Sequence, residues 1–193
     1  MGILSALRPA ANRLLVDAPD IVLRTPEIAD YAAWRQQRLD SREFLEPWEP
    51  LWNDEDHAPS NFRFRLRRYR EAMASDTAYP FFLFSKDADQ LLGAVTLANV
   101  RRGVADTATL GYWIGSTHAR QGHMTKALAA LLPYAFRALN LHRIEAACLP
   151  TNQASISLLQ RSGFEREGYA RSYLRIAGRW EDHILFAKRS PEA

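Results

Sequence analysis

The stretch GYWIGSTHARQGHMTKALAAL, residues 111–131, limits the fold of this chain more than any other. It ends an apolar strand that starts at Thr107 and closes at Ile114, passes through a short polar turn containing Gly122, and opens a helix. The helix is marked by apolar residues at 124, 128, 131, 132, 135 and 139, one continuous stripe at helical spacing. Pro133 falls inside that stripe and predicts a kink or a shortened helix, and Asn140 is placed for a left-handed cap. A second such unit follows. HRIEAACL reads as a strand, and a helix capped by Thr151 or Asn152 runs from there to Gly163. Strands alternating with helices commit the chain to layers, helices packed on a central sheet.

The flanking segments extend the pattern. Residues 20–25, DIVLRT, make a short first strand, and Pro26 with Glu27 and Asp30 opens a helix through about Leu39. The segment holding Pro47 and Pro50 is loop or broken helix. In 60–74 the helical spacing of Phe62, Leu66, Tyr69 and Met73 outlasts the strand-like alternation of Phe62, Phe64 and Leu66, so length favours a helix. Apolar runs at 79–84 and 91–98, joined by SKDADQ, form a hairpin that continues into 107–114 as an antiparallel meander. YLRI and RWEDHILFAK flank a final turn at Ala177 and Gly178.

Composition bounds the class. At 193 residues, with 47% hydrophobic and 24% charged, the chain suits one soluble domain without repeats or linkers. No apolar run approaches the roughly 20 residues of a membrane-spanning helix. The start, MGILSALRPAANRLL, has no basic region ahead of its apolar residues, so neither a signal peptide nor a membrane partner is expected. Cys148, the single cysteine, excludes an internal disulfide and suits a reducing, cytoplasmic compartment. A net charge of +3 is compatible with an anionic ligand but too weak for a dedicated nucleic-acid binder. RFRLRRYR, 63–70, reads either as the solvated face of a helix or as a guide to ribosomal RNA. The five histidines do not pair with cysteine or acid at metal-ligand spacing, so no metal is expected.

The turn at Gly122 has a physical use. The first turn of a helix leaves its N–H groups without partners, and the macrodipole adds positive potential there. Amides of Gln121 to Thr125, with Arg120 and Lys126 at the rim, make an anion site in which a glycine lets a diphosphate approach. A plain strand-to-helix turn explains the glycine equally well. No phosphate-loop lysine motif is present, so such an anion would be held without being transferred.

LGYWIGSTHARQGHMTKAL followed by LHRIEAACLPTNQASISLLQRSGFEREGY resembles the GNAT (GCN5-related) acetyltransferases, and most closely the RimJ/RimL-type branch that acetylates N-terminal amines of ribosomal proteins. FLEPWEP and YLRIAGRWEDHILFA fit the same branch, and the resemblance spans about residues 20–189. It divides the chain into an N-terminal extension, 1–19, a catalytic domain, 20–189, and a tail, 190–193. It implies a mixed α/β fold, with a central mixed, mostly antiparallel sheet of about seven strands flanked by about four helices. Against the family signature [RQ]-x-x-G-x-[GA], Ala119 and Met124 depart at the two ends, although the branch commonly has Met at the latter. Lys126 stands where the branch usually has an acidic residue.

The resemblance implies that Arg120, Gln121, Gly122, His123, Met124, Thr125 and Lys126 grip the pyrophosphate of acetyl-CoA, while Tyr112, Trp113 and Ile114 hold its pantetheine arm. Asn152 contacts pantetheine and Ser155 protonates the leaving thiolate on this reading; on the other, Asn152 is a helix cap and Ser155 an ordinary first-turn residue. Glu46, Trp48, Glu49 and Trp52 form the acceptor side, or equally a tryptophan-stapled loop covering the sheet. Glu49 is the first choice for a base and Glu46 and Glu145 further candidates, although each carboxylate reads as well as a structural or substrate-attracting group and an α-amine need not require a strong base. Cys148 is a buried filler or, if it meets the thiol of coenzyme A, a partner for a mixed disulfide. The implied reaction is acetyl transfer to the N-terminal α-amine of a protein. A small amine (polyamine, antibiotic or amino acid) and a non-catalytic acyl-CoA-binding module are the competing functions. Ribosome association and a monomer or homodimer complete the expectations.

Overall fold

A computed structural model describes residues 14–191. Its centre is one sheet of eight strands in the order β1-β2-β3-β4-β5-β6-β8-β7. The strands are β1 (Leu15–Asp17), β2 (Ile21–Arg24), β3 (Tyr79–Ser85), β4 (Leu91–Arg101), β5 (Thr107–Ile114), β6 (Arg143–Cys148), β7 (Glu165–Ile176) and β8 (Arg179–Arg189). Every neighbouring pair is antiparallel except β5 and β6. Five α-helices accompany them: α1 (Tyr31–Asp40), α2 (Arg42–Leu45), α3 (Pro59–Ala74), α4 (His123–Arg137) and α5 (Gln153–Arg161).

Strand alternation divides the apolar residues between two faces. One face of β5, β6 and β8 sends Leu110, Ile144, Ala146, Cys148, Ile184 and Phe186 into a core closed by α4 and α5. The other face of β3 and β4 sends Phe82, Phe84 and Ala94 against Trp34 of α1 and Phe62 and Leu66 of α3. The stripe on α4 behaves as its spacing requires, with Leu128, Leu131 and Ala135 fully buried. The helix continues four residues past Pro133 to Arg137. The ring removes the donor for the carbonyl of Ala129, an exposed residue that water can serve. Asn140 adopts the left-handed conformation, φ +50°, and the Leu141 N–H reaches back to the Ala135 carbonyl at 3.1 Å.

Several boundaries differ from the sequence reading, among them the start of the strand read as YLRI, which lies at Glu165. The sheet begins before residue 20: β1 pairs Val16 with Leu23, Leu14 and Val16 are buried, and residues 20–25 supply the second strand. Three residues are too short to display a period of two, which is why the pattern missed them. The helix expected from Pro26 opens as a 3₁₀ turn, Ile28–Asp30, before α1. There Asp30 accepts both guanidinium N–H groups of Arg24 and the Glu27 N–H, a tighter arrangement than a regular first turn. The proline-rich segment after α1 holds the single-turn α2 and two 3₁₀ turns, Glu46–Trp48 and Asp54–His57. All five arginines of α3 between 63 and 70 are exposed.

Leu128 touches solvent nowhere and sits between α4 and the sheet. Leu128→Ala should lower the unfolding free energy by about 2–5 kcal/mol, read from urea denaturation midpoints.

Candidate active site

The one parallel pair in the sheet is also a short seam between two long strands. β5 and β6 are hydrogen-bonded only over Thr107–Thr109 against Arg143–Glu145. Beyond that point β5 runs on to Ile114 along β4, and β6 runs on to Cys148 along β8, without pairing with each other. The strands splay, and the peptide edges facing the gap have no partner strand. α4 and α5 both start at this end, so two helix N-termini flank the opening at the carboxyl ends of parallel strands, where open α/β sheets bind ligands.

At the first of these N-termini the turn is shaped for an anion. Arg120 and Gly122 both take positive φ, +62° and +81°, on either side of Gln121. This alternation turns successive N–H groups toward one point. The first helical bond is Lys126 N–H to the Gly122 carbonyl at 3.0 Å, and the N–H groups of residues 120–125 have no partner among the described residues. A Cβ at Gly122 would project into open space, space a ligand can use. Side chains add to the site. Met124 anchors the turn in the core. His118 Nε2 and His123 Nδ1 are buried without a hydrogen-bond partner. Burial, helped by the neighbouring His123, holds the His118 imidazole below its ordinary pKa. Gln121 donates to the Thr117 carbonyl at 2.7 Å and Lys126 is ion-paired to Asp20, so neither is uncommitted. The free amides, the orphaned imidazole nitrogens and the open approach fit a diphosphate. A cavity of about 390 Å³ continues from Thr125 along α4, with Arg137, Arg161 and Lys188 in its lining.

At the second N-terminus Asn152 caps α5, its Oδ1 accepting the Ser155 N–H at 3.0 Å. Its side-chain amide N–H₂ has no partner among the described residues. Tyr112 faces this end from β5. Burial pushes its phenol up to about 12, with the Ser155 hydroxyl bonding against that shift and Cys148 close by. Burial pushes the Cys148 thiol up to about 11. Tyr112 and Ile114 pack on the α4/α5 core, whereas Trp113 turns to the opposite face beside α1. Trp113 therefore offers the splay its backbone and not its ring.

The opposite face is walled by the segment after α2. Arg38 of α1 donates to both Glu49 oxygens, Trp52 Nε1 donates to Glu49 Oε2 at 2.9 Å, and the guanidinium lies 4.1 Å from the Trp52 ring. The same guanidinium stands 5.1 Å from the Trp113 ring. Ala177 N–H bonds the Glu49 carbonyl at 2.8 Å, and Gly178, at φ +81°, leaves just enough room for Leu51. This wall is thereby fastened to the β7–β8 turn. Both carboxylate oxygens of Glu49 are occupied by protein donors, and the side chain forms part of the wall. Glu46 is paired with Arg42, and Glu145 with Arg101 and Arg143. Trp48 is partly exposed on the rim. None of the carboxylates picked from sequence is free: Arg42 stands one helical turn before Glu46 and Arg143 two residues before Glu145, whereas Arg38 and Arg101 are brought in by the fold. Among the described residues no His/Cys/Asp/Glu group is arranged to hold a metal.

Residues 20–165 match the family model of the acetyltransferase (GNAT) domain. The chain is 40% identical over 168 residues to the ribosomal protein uS5-alanine N-acetyltransferase of Escherichia coli, covering 86% of each. A solved structure of Mycobacterium smegmatis RimJ in complex with CoA-disulfide superposes with a TM-score of 0.85 at 34% identity, covering 94% of this chain and 87% of that one. The ribosomal-protein-S5-alanine acetyltransferase of Vibrio fischeri gives 0.86 at 30% identity, covering 93% and 98%. The chain belongs to the GNAT acetyltransferases and is an acetyl-CoA-dependent N-acetyltransferase.

Gly122→Val should weaken acetyl-CoA binding at least about tenfold in calorimetry while costing roughly 1–2 kcal/mol of stability, the usual penalty for a side chain in left-handed backbone. Cys148 should react with iodoacetamide at pH 8 on the order of a hundred times more slowly than an exposed cysteine of ordinary pKa, read by intact mass. Labelling at the ordinary rate would show that the thiol opens to solvent.

Proposed function

We propose that this enzyme acetylates the N-terminal α-amine of a ribosomal protein in the cytoplasm. The observation that carries the reading is the splay between β5 and β6, with an anion cradle on the side of α4 and α5 and a tryptophan-walled cleft on the other. Such a gap lets a thioester and an amine meet from opposite faces of one sheet. The similarity to the E. coli uS5-alanine enzyme supports a protein N-terminus as acceptor.

The amides of 120–125 would hold the diphosphate of acetyl-CoA, and the unpaired edge of Tyr112 to Ile114 its pantetheine arm. Acetyl-CoA supplies an activated acyl group with a thiolate as leaving group. Ser155 and Tyr112 are neighbours at the end of the gap, and either hydroxyl would supply the proton to the leaving sulfur. A phenol held near 12 stays protonated through neutral pH, as a donor must. Asn152 fixes the first turn of α5 and with it Ser155. The acceptor's chemistry suits a site whose acidic side chains are engaged. An α-amine titrates at about 7.7–8.0 and is partly neutral at physiological pH, whereas a lysine at about 10.4 demands a much stronger base.

The reading is tested by supplying acetyl-CoA with paired peptides whose N-termini are free or blocked. Acetylation confined to free N-termini supports it. Turnover only with polyamines, antibiotics or amino acids moves the acceptor to a small amine, and binding without turnover makes the protein an acyl-CoA-binding module. Ser155→Ala should lower kcat about 10–100-fold with acetyl-CoA affinity unchanged. An equal loss of affinity would make Ser155 a binding contact.

A further inference from the structure

With Glu46, Glu49 and Glu145 committed to arginines, the acceptor face needs another group to take the proton of an incoming ammonium. The last strand provides one. Ile184 and Phe186 point into the core beneath α4 and α5, so the alternation of β8 turns Glu181, His183 and Leu185 to the acceptor face. Cys148, the last residue of β6, lies opposite Ile184. His183 therefore stands one step beyond the β6 ladder, at the mouth of the splay.

Its environment is constructed. His183 is 2% exposed, although Gly111 on the same face of the sheet is exposed and Ala147 only half-buried. Nδ1 lies 2.9 Å from the Glu181 carbonyl, which can only accept, so Nδ1 carries the hydrogen. In the neutral ring Nε2 is then a bare lone pair, and it bonds no protein group among the described residues. The cover comes from β7, whose register against β8 breaks between Ala170 and Leu174. Within the break Ser172 takes φ +45°, its N–H donating to Asp182 Oδ1 at 2.8 Å while the Tyr169 hydroxyl donates to Oδ2 at 2.9 Å. This bulge aims Tyr173 at the imidazole, ring centroids 5.8 Å apart and planes at 74°. Bulges beside active sites commonly redirect a side chain in this way. Tyr173 and Glu181 face His183, the Glu181 carboxylate without a protein partner among the described residues, and Asp182 lies within electrostatic reach of the ring. Asp182 lies on the other face, and Glu145, two steps along β6 from Ala147, is held by its arginines.

We propose that His183 is a catalytic base of the acetyl transfer and that Glu181 holds the acceptor's ammonium in front of it. The proposal rests on the acetyltransferase reading above. Nε2 takes one proton from the ammonium, and the electrons of that N–H bond become the lone pair of the free amine. As the C–N bond to the acetyl carbon forms and the C–S bond breaks, the electron pair leaves on sulfur, which is protonated by the Ser155–Tyr112 hydroxyls. The amine's second proton restores that hydroxyl as the amide forms, and the imidazolium gives the first to water.

The experiment is steady-state kinetics of His183→Asn on a peptide with a free N-terminus, with acetyl-CoA binding measured in parallel. The asparagine amide can still donate to the Glu181 carbonyl but has no basic nitrogen. We expect kcat to fall about 100-fold or more, with cofactor affinity and peptide KM within about twofold. Wild-type kcat/KM should be flat just below the α-amine range of about 7.7–8.0, while that of the variant climbs with pH as the acceptor loses its own proton. Added imidazole should restore turnover to His183→Ala. A variant kcat within about twofold of wild type overturns the proposal, and so does a loss confined to KM with an unchanged pH profile. If neither variant folds, the wild-type profile decides: kcat/KM rising tenfold per pH unit up to about 8 overturns it. A wild type that binds acetyl-CoA but acetylates no amine defeats the functional reading, an outcome distinct from a working enzyme indifferent to His183.

Discussion

The parting of β5 from β6 after three paired residues is the constraint on which the rest of this molecule depends. Two strands left unpaired in a sheet would normally close on each other, because buried peptide groups need partners. Here each strand is held along its outer edge. β5 is laddered to β4 as far as Ile114, and β6 to β8 as far as Cys148. The gap is therefore kept open by rigid structure on both sides. A ligand that supplies amide groups to the inner edges completes the sheet without having to order it first, which lowers the entropic cost of binding.

The same strands sort the chemistry by pleat. Tyr112 and Trp113 are consecutive, yet one points to α5 and the other lies beside Arg38 of α1. Ile184 and His183 divide in the same sense on β8. A side chain's role at this site is thus decided by the parity of its position. A one-residue slip in β5 or β8 would exchange the two sets of side chains, so the full ladders on β4 and β6 protect the chemistry as well as the fold.

Much of this was legible in the sequence because it is local. The stripe of α4, the strand before it and the polar turn between them depend on spacing within some thirty residues, and each lies where the pattern placed it. What was not legible depends on partners far along the chain. The grip of Arg38 on both oxygens of Glu49 appears only once the fold brings α1 against the segment after α2, and Arg101 reaches Glu145 only across the sheet. The bulge at Ser172 leaves no mark in composition, since its cause is a pair of hydrogen bonds to Asp182 on the next strand. The orphaned nitrogen of His118 likewise becomes visible only when burial strips it of water. β1 failed for the opposite reason, being local but too short to show a period.

The charge at Lys126 is balanced locally. Lys126 is neutralised by Asp20, whose carboxyl it pulls below its ordinary range. Both side chains are largely exposed, so the pair adds little stability and is easily exchanged. As a unit it adds almost no net charge to the turn. An anion bound here would be attracted chiefly by the convergent amides of 120–125 and the dipole of α4, which depend on conformation more than on residue identity. That conformation has positive φ at Arg120 and at Gly122, and Gly122 takes it without the cost a side chain incurs.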